Sequence, residues 1–361
     1  IMLLAIYEGF IAIVFAAVLA LDINGFFQHA EKYKTVKGFK PKTLIILPAK
    51  GQDVTQLENF SSLKNQSYHN YDIVAVVDSS SDPASIAASK VGIKTVIAKG
   101  TCERCSGKNR AIAYALKTFQ NYNVYVIADS DIRASNTWLE KLIKPLSDAR
   151  IGISTTFPFF VPIDNSIWSK IKMLWGLVGQ SLMGSKITRF GWGGSLAFKK
   201  NLVDKRLFYL LEDSKYAISD DISITKRAKE KGLGIAYVKD AEVVVNVKEN
   251  AASFTEWANR QAALTLLGYR KNLYIGTAYY SAELLLLASG IAMSIFVAPI
   301  FAILLLHLVI SEYKSIARMP KRSLALLFIV LAMPAIYLYN LVKASRMESI
   351  EWRGRIYSIS K

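Results

Sequence analysis

Residues 124–133 read VYVIADSDIR, an apolar run ending in Asp129-Ser130-Asp131. Two carboxylates one residue apart at the end of a buried strand repel one another, so something must compensate, and a cation is one candidate. Hard carboxylate oxygens suit Mg2+ or Mn2+, above all where a diphosphate supplies further ligands. A divalent ion there offsets the repulsion and stabilises negative charge on a departing phosphate. The plainer alternative is a solvated loop in which Asp131 caps a helix near residue 135. A second acidic site, Asp78-Ser-Ser-Ser-Asp82, follows another apolar run, and Lys50 closes a third, TLIILPAK. SGKNRAIAYAL sets Lys108 and Arg110 at a helix start, where backbone amides favour anions. Acidic and basic groups at several strand ends have the make-up of a nucleotide-diphosphate site.

Two more segments carry candidate chemistry. YAISDDISITKRAKEKG reads as a helix opened by Ser219, with Ile222, Ile224 and Ala228 apolar. On spacing alone, Asp220 and Asp221 are first-turn acids that complement the helix dipole. GWGGSLAFKK places Trp192 before Gly193 and Gly194. Glycines let backbone approach a sugar closely and an aromatic face can stack on it, which makes these three residues a candidate sugar or acceptor pocket. A Gly-rich turn before a strand at 195–198 accounts for them equally well.

The elements that must position these side chains follow from the change of period along the chain. Short β-rich runs at 43–49, 71–78, 93–98, 124–129 and 151–156 alternate with helical stretches at 55–65, 83–90, 107–119 and 136–146. That rhythm predicts an α/β fold with a mostly parallel sheet and helices on both faces. Ligands of such sheets gather at the carboxyl ends of the strands, where Lys50, Asp78, Asp82, Asp129 and Asp131 fall.

The apolar fraction is 52%, high for a soluble protein. The excess sits in three stretches of membrane character, 1–21, 281–310 and 323–342. A helix of about 20 residues crosses roughly 30 Å of hydrocarbon, and each stretch is long enough. The first lacks the basic start of a signal peptide, and Ile1 before Met2 suggests that the natural start lies upstream. Net charge is +17, from 45 Lys and Arg against 28 Asp and Glu. Lys32, Lys34, Lys37, Lys40 and Lys42 cluster just after the first apolar stretch, which argues for anionic lipid headgroups rather than nucleic acid. Few interior charges in the apolar stretches argue against a channel or transporter. Cys102 and Cys105 form a lone CxxC, and His29, His69 and His307 are scattered, so no four-ligand zinc site assembles. Ordinary reduced cytosolic cysteines are expected.

In order along the chain, LPAKGQD, VVDSSSDPA, SGKNRAIAYAL, IADSDIRASNTWL, GWGGSLAFKK, ISDDISITKRAKEKG and WANRQ resemble the ceramide glucosyltransferase-like enzymes. These are family 2-type, inverting, membrane glycosyltransferases of the GT-A fold, and the resemblance covers roughly residues 43–270. It implies that Asp78 or Asp82 binds the nucleoside of a nucleotide sugar; Lys50 and Lys108 are placed in the same site by their positions at a strand end and a helix start. It implies that Asp129 and Asp131 position metal and diphosphate, and that Asp221, paired with Asp220, is the catalytic base. In SFTEWANRQAALTLLGYRK the family's Q/R-x-x-R-W element is altered: Trp257 replaces the leading Gln or Arg and Gln261 the final Trp. Arg260 survives, and a guanidinium over the leaving diphosphate is physically sensible. The departure speaks against processive polymer synthesis more than against single transfer. The same segment also reads as an interfacial helix with Phe254, Trp257, Leu264 and Leu267 towards lipid. The stripe from Ile167 to Leu182 is either core or a membrane-resting helix.

The expected organisation is a transmembrane helix at 1–22, a basic linker at 23–42 and a cytoplasmic GT-A domain at 43–250. An amphipathic interfacial region at 251–280, transmembrane or re-entrant helices at 281–342 and a basic cytoplasmic tail at 343–361 complete it. The basic loop SEYKSIARMPKRS and the basic tail conflict under the charge rule, so a C-terminal stretch should dip in and return, with bends at Pro299 and Pro334. WRGRIY in the tail recurs in related membrane glycosyltransferases, which places it near the active-site rim. The expected activity is transfer of one hexose from UDP-glucose or a similar UDP-hexose to a lipid hydroxyl, ceramide-like or of another glycolipid precursor, by metal-assisted direct displacement. A polyprenyl-phosphate sugar synthase and a non-catalytic nucleotide-sugar-binding membrane protein are the alternatives.

Overall fold

Four apolar runs in the first half of the chain form neighbouring strands because they are too short for helices and carry β-branched side chains throughout. The computed structural model describes residues 2–26, 33–318 and 325–359. Lys32 of the basic linker and residues 319–324 of the basic loop lie outside them. Strands β1 (Thr43–Pro48), β2 (Tyr71–Val77), β3 (Lys94–Ile97) and β4 (Val124–Ala128) match the expected runs closely. They are followed by β5 (Ile132–Ala134), β6 (Ile151–Thr155), β7 (Phe159–Pro162), β8 (Ser195–Lys199), β9 (Gly234–Tyr237) and β10 (Val243–Val247). A hairpin of β11 (Ser349–Trp352) and β12 (Arg355–Ser358) lies near the C-terminal end.

The main sheet has seven strands in the order β3-β2-β1-β4-β8-β6-β9, and β5-β10-β7 form a second, smaller sheet. All pairings in the main sheet are parallel except those of β8, which runs against β4 and β6. The first five residues of β1 and all of β4 are buried, as expected of strands covered on both faces. Leu44, Ile46, Val74, Val76, Tyr125, Ile127 and Phe198 pack with Ile112 and Leu116 of the helix Gly107–Thr118 and Ile224 of the helix Asp220–Glu230. Trp138, fully buried, donates its indole N–H to the Ser195 hydroxyl at 2.8 Å.

The chain divides into two units. The sheets and their helices, residues 30–164, 182–248 and 349–361, form one; residues 1–29, 165–181 and 249–348 form the other. Most of the stripe at 167–182 therefore belongs with the apolar helices. Among the described residues of that helical unit, four helices are long and apolar enough to cross a membrane: Met2–Ile23, Lys271–Phe296, Pro299–Arg318 and Leu326–Ser345. The expected single stretch 281–310 is thus two helices. The first ends at Phe296, and Pro299, which has no amide hydrogen to continue the ladder, opens the next. The second helix runs on to Arg318 through most of what reads as a basic loop. Pro334, by contrast, lies inside the continuous helix Ala325–Ser345. Polar side chains in this unit pair with one another: the Asp22 carboxylate accepts from the Tyr279 hydroxyl at 3.0 Å and faces Lys314 at 3.2 Å. Phe254, expected towards lipid, is buried against Trp168, because the buried stripe of the helix Ala251–Gly268 runs through Phe254, Ala258, Ala262 and Leu266.

Candidate functional site

Strand register gathers the candidate residues at one sheet edge. Pro48 lies opposite Val76, and Ile46 opposite Ile127, so Lys50, Asp78 and Asp129 all emerge just beyond the carboxyl ends of β1, β2 and β4. The reversal of β8 is what adds the glycines. Because Ser195 pairs with Ala128, the chain entering β8 lies beside the chain leaving β4, and the Asp129 amide donates to the Gly194 carbonyl at 3.1 Å. The loop between Asp129 and Asp131 is further held by Asn59, whose side-chain amide donates to the Ser130 carbonyl at 3.3 Å. The Ser130 hydroxyl binds Asp53. Asp131 leads into β5 rather than capping a helix; the next helix starts at Trp138 with Thr137 before it.

Two helix N-termini meet at this edge. Ser106 caps Gly107–Thr118 and Ser219 caps Asp220–Glu230, each through its hydroxyl. They are tied together by the Ala217 carbonyl, which accepts from the Ser106 amide at 3.0 Å and the buried Asn109 side chain at 2.7 Å. Lys108 therefore points at the second helix. Its ammonium lies 2.7 Å from Asp129 and 3.1 Å from Asp220, bridging the two acid pairs that the sequence separates by some ninety positions. Burial pulls the Lys108 pKa down, but Asp129, Asp220 and Asp221 outweigh it and hold the ammonium above its ordinary range.

Asp220 is buried and Asp221 half-buried. Desolvation, opposed by Lys108, raises the Asp220 carboxyl above the usual range. Desolvation and then the adjacent Asp220 charge push Asp221 well above it. Asp221 accepts the Gly193 backbone N–H. A Cβ at Gly193 would fall among the carboxylate oxygens of Asp220 and Asp221, and one at Gly194 would fall within the Trp192 ring. These two glycines are required by close approach rather than by backbone angles. Trp192 is half-buried, its ring 5.6 Å from that of Phe157, and its amide donates to Thr155 Oγ1 at 3.0 Å.

The first acid region separates into two roles. Asp78 is surrounded by cations: Arg110, Arg355 at 2.8 Å and Lys50 at 3.4 Å. Asp82 caps the helix Pro83–Lys90, its Oδ1 accepting from the Ala84 and Gly51 amides at 2.8 Å each. Arg260 and Trp257 belong to the helical unit. Arg260 lies 3.4 Å from Glu256, and Trp257 packs edge-on to Trp175 with the Lys172 ammonium 4.4 Å from its ring centre.

Several residues at the edge escape motif reading. Asp53 and Ser130 brace the acidic loop, and the C-terminal hairpin brings Arg353 onto Asp53, Arg355 onto Asp78 and the Tyr357 hydroxyl onto the Gly107 amide at 3.2 Å. The clue in sequence is the WRGRIY string alone. Cys102 and Cys105, expected as reduced thiols, form a disulfide, since three residues' separation brings their Cα atoms to 5.6 Å.

A solved mannosyltransferase from Pyrobaculum calidifontis, in complex with GDP-mannose and Mn2+, is similar to this chain at 17% identity. The match has a TM-score of 0.61 and covers 95% of this chain and 98% of that one. Glucosyl-3-phosphoglycerate synthase from Mycobacterium tuberculosis, solved with Mn2+ and UDP-glucose, is 16% identical over 63% of this chain and 78% of that one, with a TM-score of 0.42. No curated protein matches the chain. The family model described as glycosyl transferase family 21 matches residues 5–361, essentially the whole chain. A mainly parallel sheet of GT-A type, acids and cations gathered at its carboxyl edge, and that end-to-end match make this chain a member of glycosyl transferase family 21.

Proposed function

We propose that this protein transfers a single hexose from a nucleoside diphosphate sugar, a UDP-hexose, to the hydroxyl of a membrane lipid, with inversion at the anomeric carbon. The observation that carries the reading is the Lys108 bridge, which sets the Asp129 loop beside a carboxyl pair whose second member has a strongly raised pKa. A base with a raised pKa holds a proton more firmly and is the stronger acceptor. In the reaction, the acceptor oxygen bonds to the anomeric carbon as the bond from that carbon to the diphosphate oxygen breaks. The hydroxyl proton passes to the Asp221 carboxylate, and the nucleoside diphosphate leaves with the bonding pair. Asp220, paired with Lys108, holds its neighbour in place, and the Gly193 N–H orients the accepting carboxylate.

Asp129 and Asp131 fit a divalent cation, Mg2+ or Mn2+. Both are half-buried and offer hard oxygens from one short loop. Among the described residues no three His, Cys, Asp or Glu side chains converge as a complete cage, so the donor's phosphate oxygens would complete the coordination. Such an ion, when bound, neutralises charge on the departing diphosphate. Asp78, with Lys50 and Arg110, would receive the nucleoside, and Trp192 with Gly193 and Gly194 would form the wall against the sugar. Arg260 and Trp257 are assigned to the donor side of the reaction by their motif.

The four long apolar helices support a lipid acceptor, because a substrate that stays in the bilayer requires a catalyst held at its surface. The lysine-rich linker supports a cytoplasmic catalytic unit. The test is to incubate the purified full chain with Mn2+ or Mg2+, UDP-glucose, UDP-galactose or GDP-mannose, and total polar lipid, and to follow hexosyl-lipid by mass spectrometry. A lipid heavier by one hexose, absent with Asp221→Asn, is the expected result. No lipid product with any donor would overturn the reading. Product that survives Asp221→Asn would overturn the base assignment and favour an acceptor that is already ionised, such as a polyprenyl phosphate.

A further inference from the structure

The C-terminal hairpin carries charge into the donor site at a backbone position poorly suited to its residue. β11 and β12 pair in antiparallel register from Ser349 with Ser358 to Trp352 with Arg355, leaving a two-residue turn. Both turn residues have positive φ, 53° at Arg353 and 73° at Gly354. That is the backbone of a type I′ turn, whose first position favours Asn, Asp or Gly. An arginine there costs about 1 kcal/mol in backbone strain. A strained residue at a polar edge invites a functional explanation.

Its surroundings supply one. The Arg353 guanidinium binds Asp53, whose carboxyl is largely buried and also accepts from Ser130 in the middle of Asp129-Ser130-Asp131. Asp129 and Asp131 both act electrostatically on Arg353. The Arg353 side chain nevertheless remains 42% exposed. A guanidinium has five N–H donors in a planar fork, so one carboxylate does not exhaust it. Next along the hairpin, Arg355 reaches Asp78 at 2.8 Å, and a Cβ at Gly107 would lie 2.6 Å from its Nη1, so the hairpin packs directly on the start of the helix Gly107–Thr118.

Charge counting within the sheet unit leaves a role for a further cation, in addition to the Arg260 assigned by its motif. A nucleoside diphosphate sugar brings two negative charges to a site that already holds Asp129 and Asp131. A divalent ion cancels two of the four, and Lys108 is shared with Asp220. The leaving nucleoside diphosphate gains one more negative charge when the sugar departs.

We propose that Arg353, delivered by the C-terminal hairpin, is a diphosphate-binding residue of the donor site. This rests on the reading of the site as a nucleotide-sugar site. Asp53 aims the Arg353 fork at the acidic loop, and its second edge takes a phosphate oxygen in the bidentate manner guanidinium groups favour.

The test is calorimetric binding of UDP, GDP and the matching nucleosides to the full chain in detergent with Mn2+, comparing wild type with Arg353→Asn and Arg353→Lys. Asparagine suits the left-handed turn position, so Arg353→Asn keeps the hairpin while removing the guanidinium; unchanged thermal unfolding would establish that. Loss of one charge-assisted contact predicts about 10- to 100-fold weaker nucleoside diphosphate binding in Arg353→Asn, with nucleoside affinity unchanged and partial recovery in Arg353→Lys. Nucleoside diphosphate affinity equal to wild type in Arg353→Asn would overturn the proposal while leaving the transferase reading intact. Tighter binding would overturn it too, making the hairpin a latch that excludes the donor. A wild-type chain that binds no nucleotide would sink the transferase reading itself, and this proposal with it.

Discussion

Replacing Lys108 with methionine removes the ammonium that touches both acid pairs while keeping most of the side chain's length. At 2.7 and 3.1 Å from Asp129 and Asp220, the gross attractions are each about 5–6 kcal/mol at an effective dielectric constant near 20. Desolvation of the three groups and repulsion between the carboxylates offset much of this. Deleting one partner of a buried ionic cluster costs roughly 3–5 kcal/mol, because the remaining charges are left uncompensated. For a unit of about 200 residues that lowers the melting temperature by roughly 6–20 °C. The pH dependence is diagnostic. The Lys108 pKa is raised on folding, so its contribution is complete below the ordinary lysine value of about 10.4 and is lost only in alkali. In the methionine variant the Asp220 and Asp221 carboxyls, already raised on folding, climb further above the unfolded value of about 3.9, so protonation relieves the repulsion as pH falls. Thermal unfolding of the full chain in detergent, followed by tryptophan fluorescence, should show a large deficit near pH 8 that closes towards pH 4. A variant that melts with wild type near pH 8, or whose deficit is the same at both ends, would refute the bridge as the element joining the two acid pairs.

Gly193→Ala should reduce transfer about 100-fold or more, because the new methyl occupies the space of the Asp220 and Asp221 carboxylates and displaces the base; initial rates of nucleoside diphosphate release measure this. Asp221→Asn should abolish transfer yet raise thermal stability at neutral pH, since a carboxyl whose pKa is raised on folding destabilises the folded state once ionised. That gain should disappear below about pH 4, where both states are protonated, and a variant less stable than wild type near pH 7 would contradict it. Trp138→Phe keeps a buried ring but leaves the Ser195 hydroxyl without its indole donor, and should cost about 1–2 kcal/mol; a lower urea midpoint at unchanged slope is the readout.

Much of the candidate-site edge was legible from residue order. A parallel strand buried on both faces must be a short continuous apolar run, so β1, β2 and β4 announce themselves, and the residues just past each run fall at one edge by register. Ser219 is visible as a helix cap because capping needs only a short polar side chain at the right offset, whereas Asp82, expected in the nucleoside site, is shown to be a cap only by the structure. β6 and β8 were also legible, but the other strands after β4 were harder to read. β5, β7, β9 and β10 are only three to five residues long, and each takes its partners from distant parts of the chain.

What the amino-acid order determined by itself is the alternating α/β rhythm, the apolar segments and the identity of the acids at the strand ends, because each depends on contacts within about one turn or one strand. Tertiary structure decided the rest. Only the antiparallel entry of β8 puts Gly193 against Asp221, only the docking of two helix starts puts Lys108 between Asp129 and Asp220, and only the return of the chain end puts Arg353 beside Asp53. The physical reason is common to all three. A polar contact across tens or hundreds of residues leaves no periodic trace in sequence, and its partner is chosen by which backbone segments the sheet brings to the same edge.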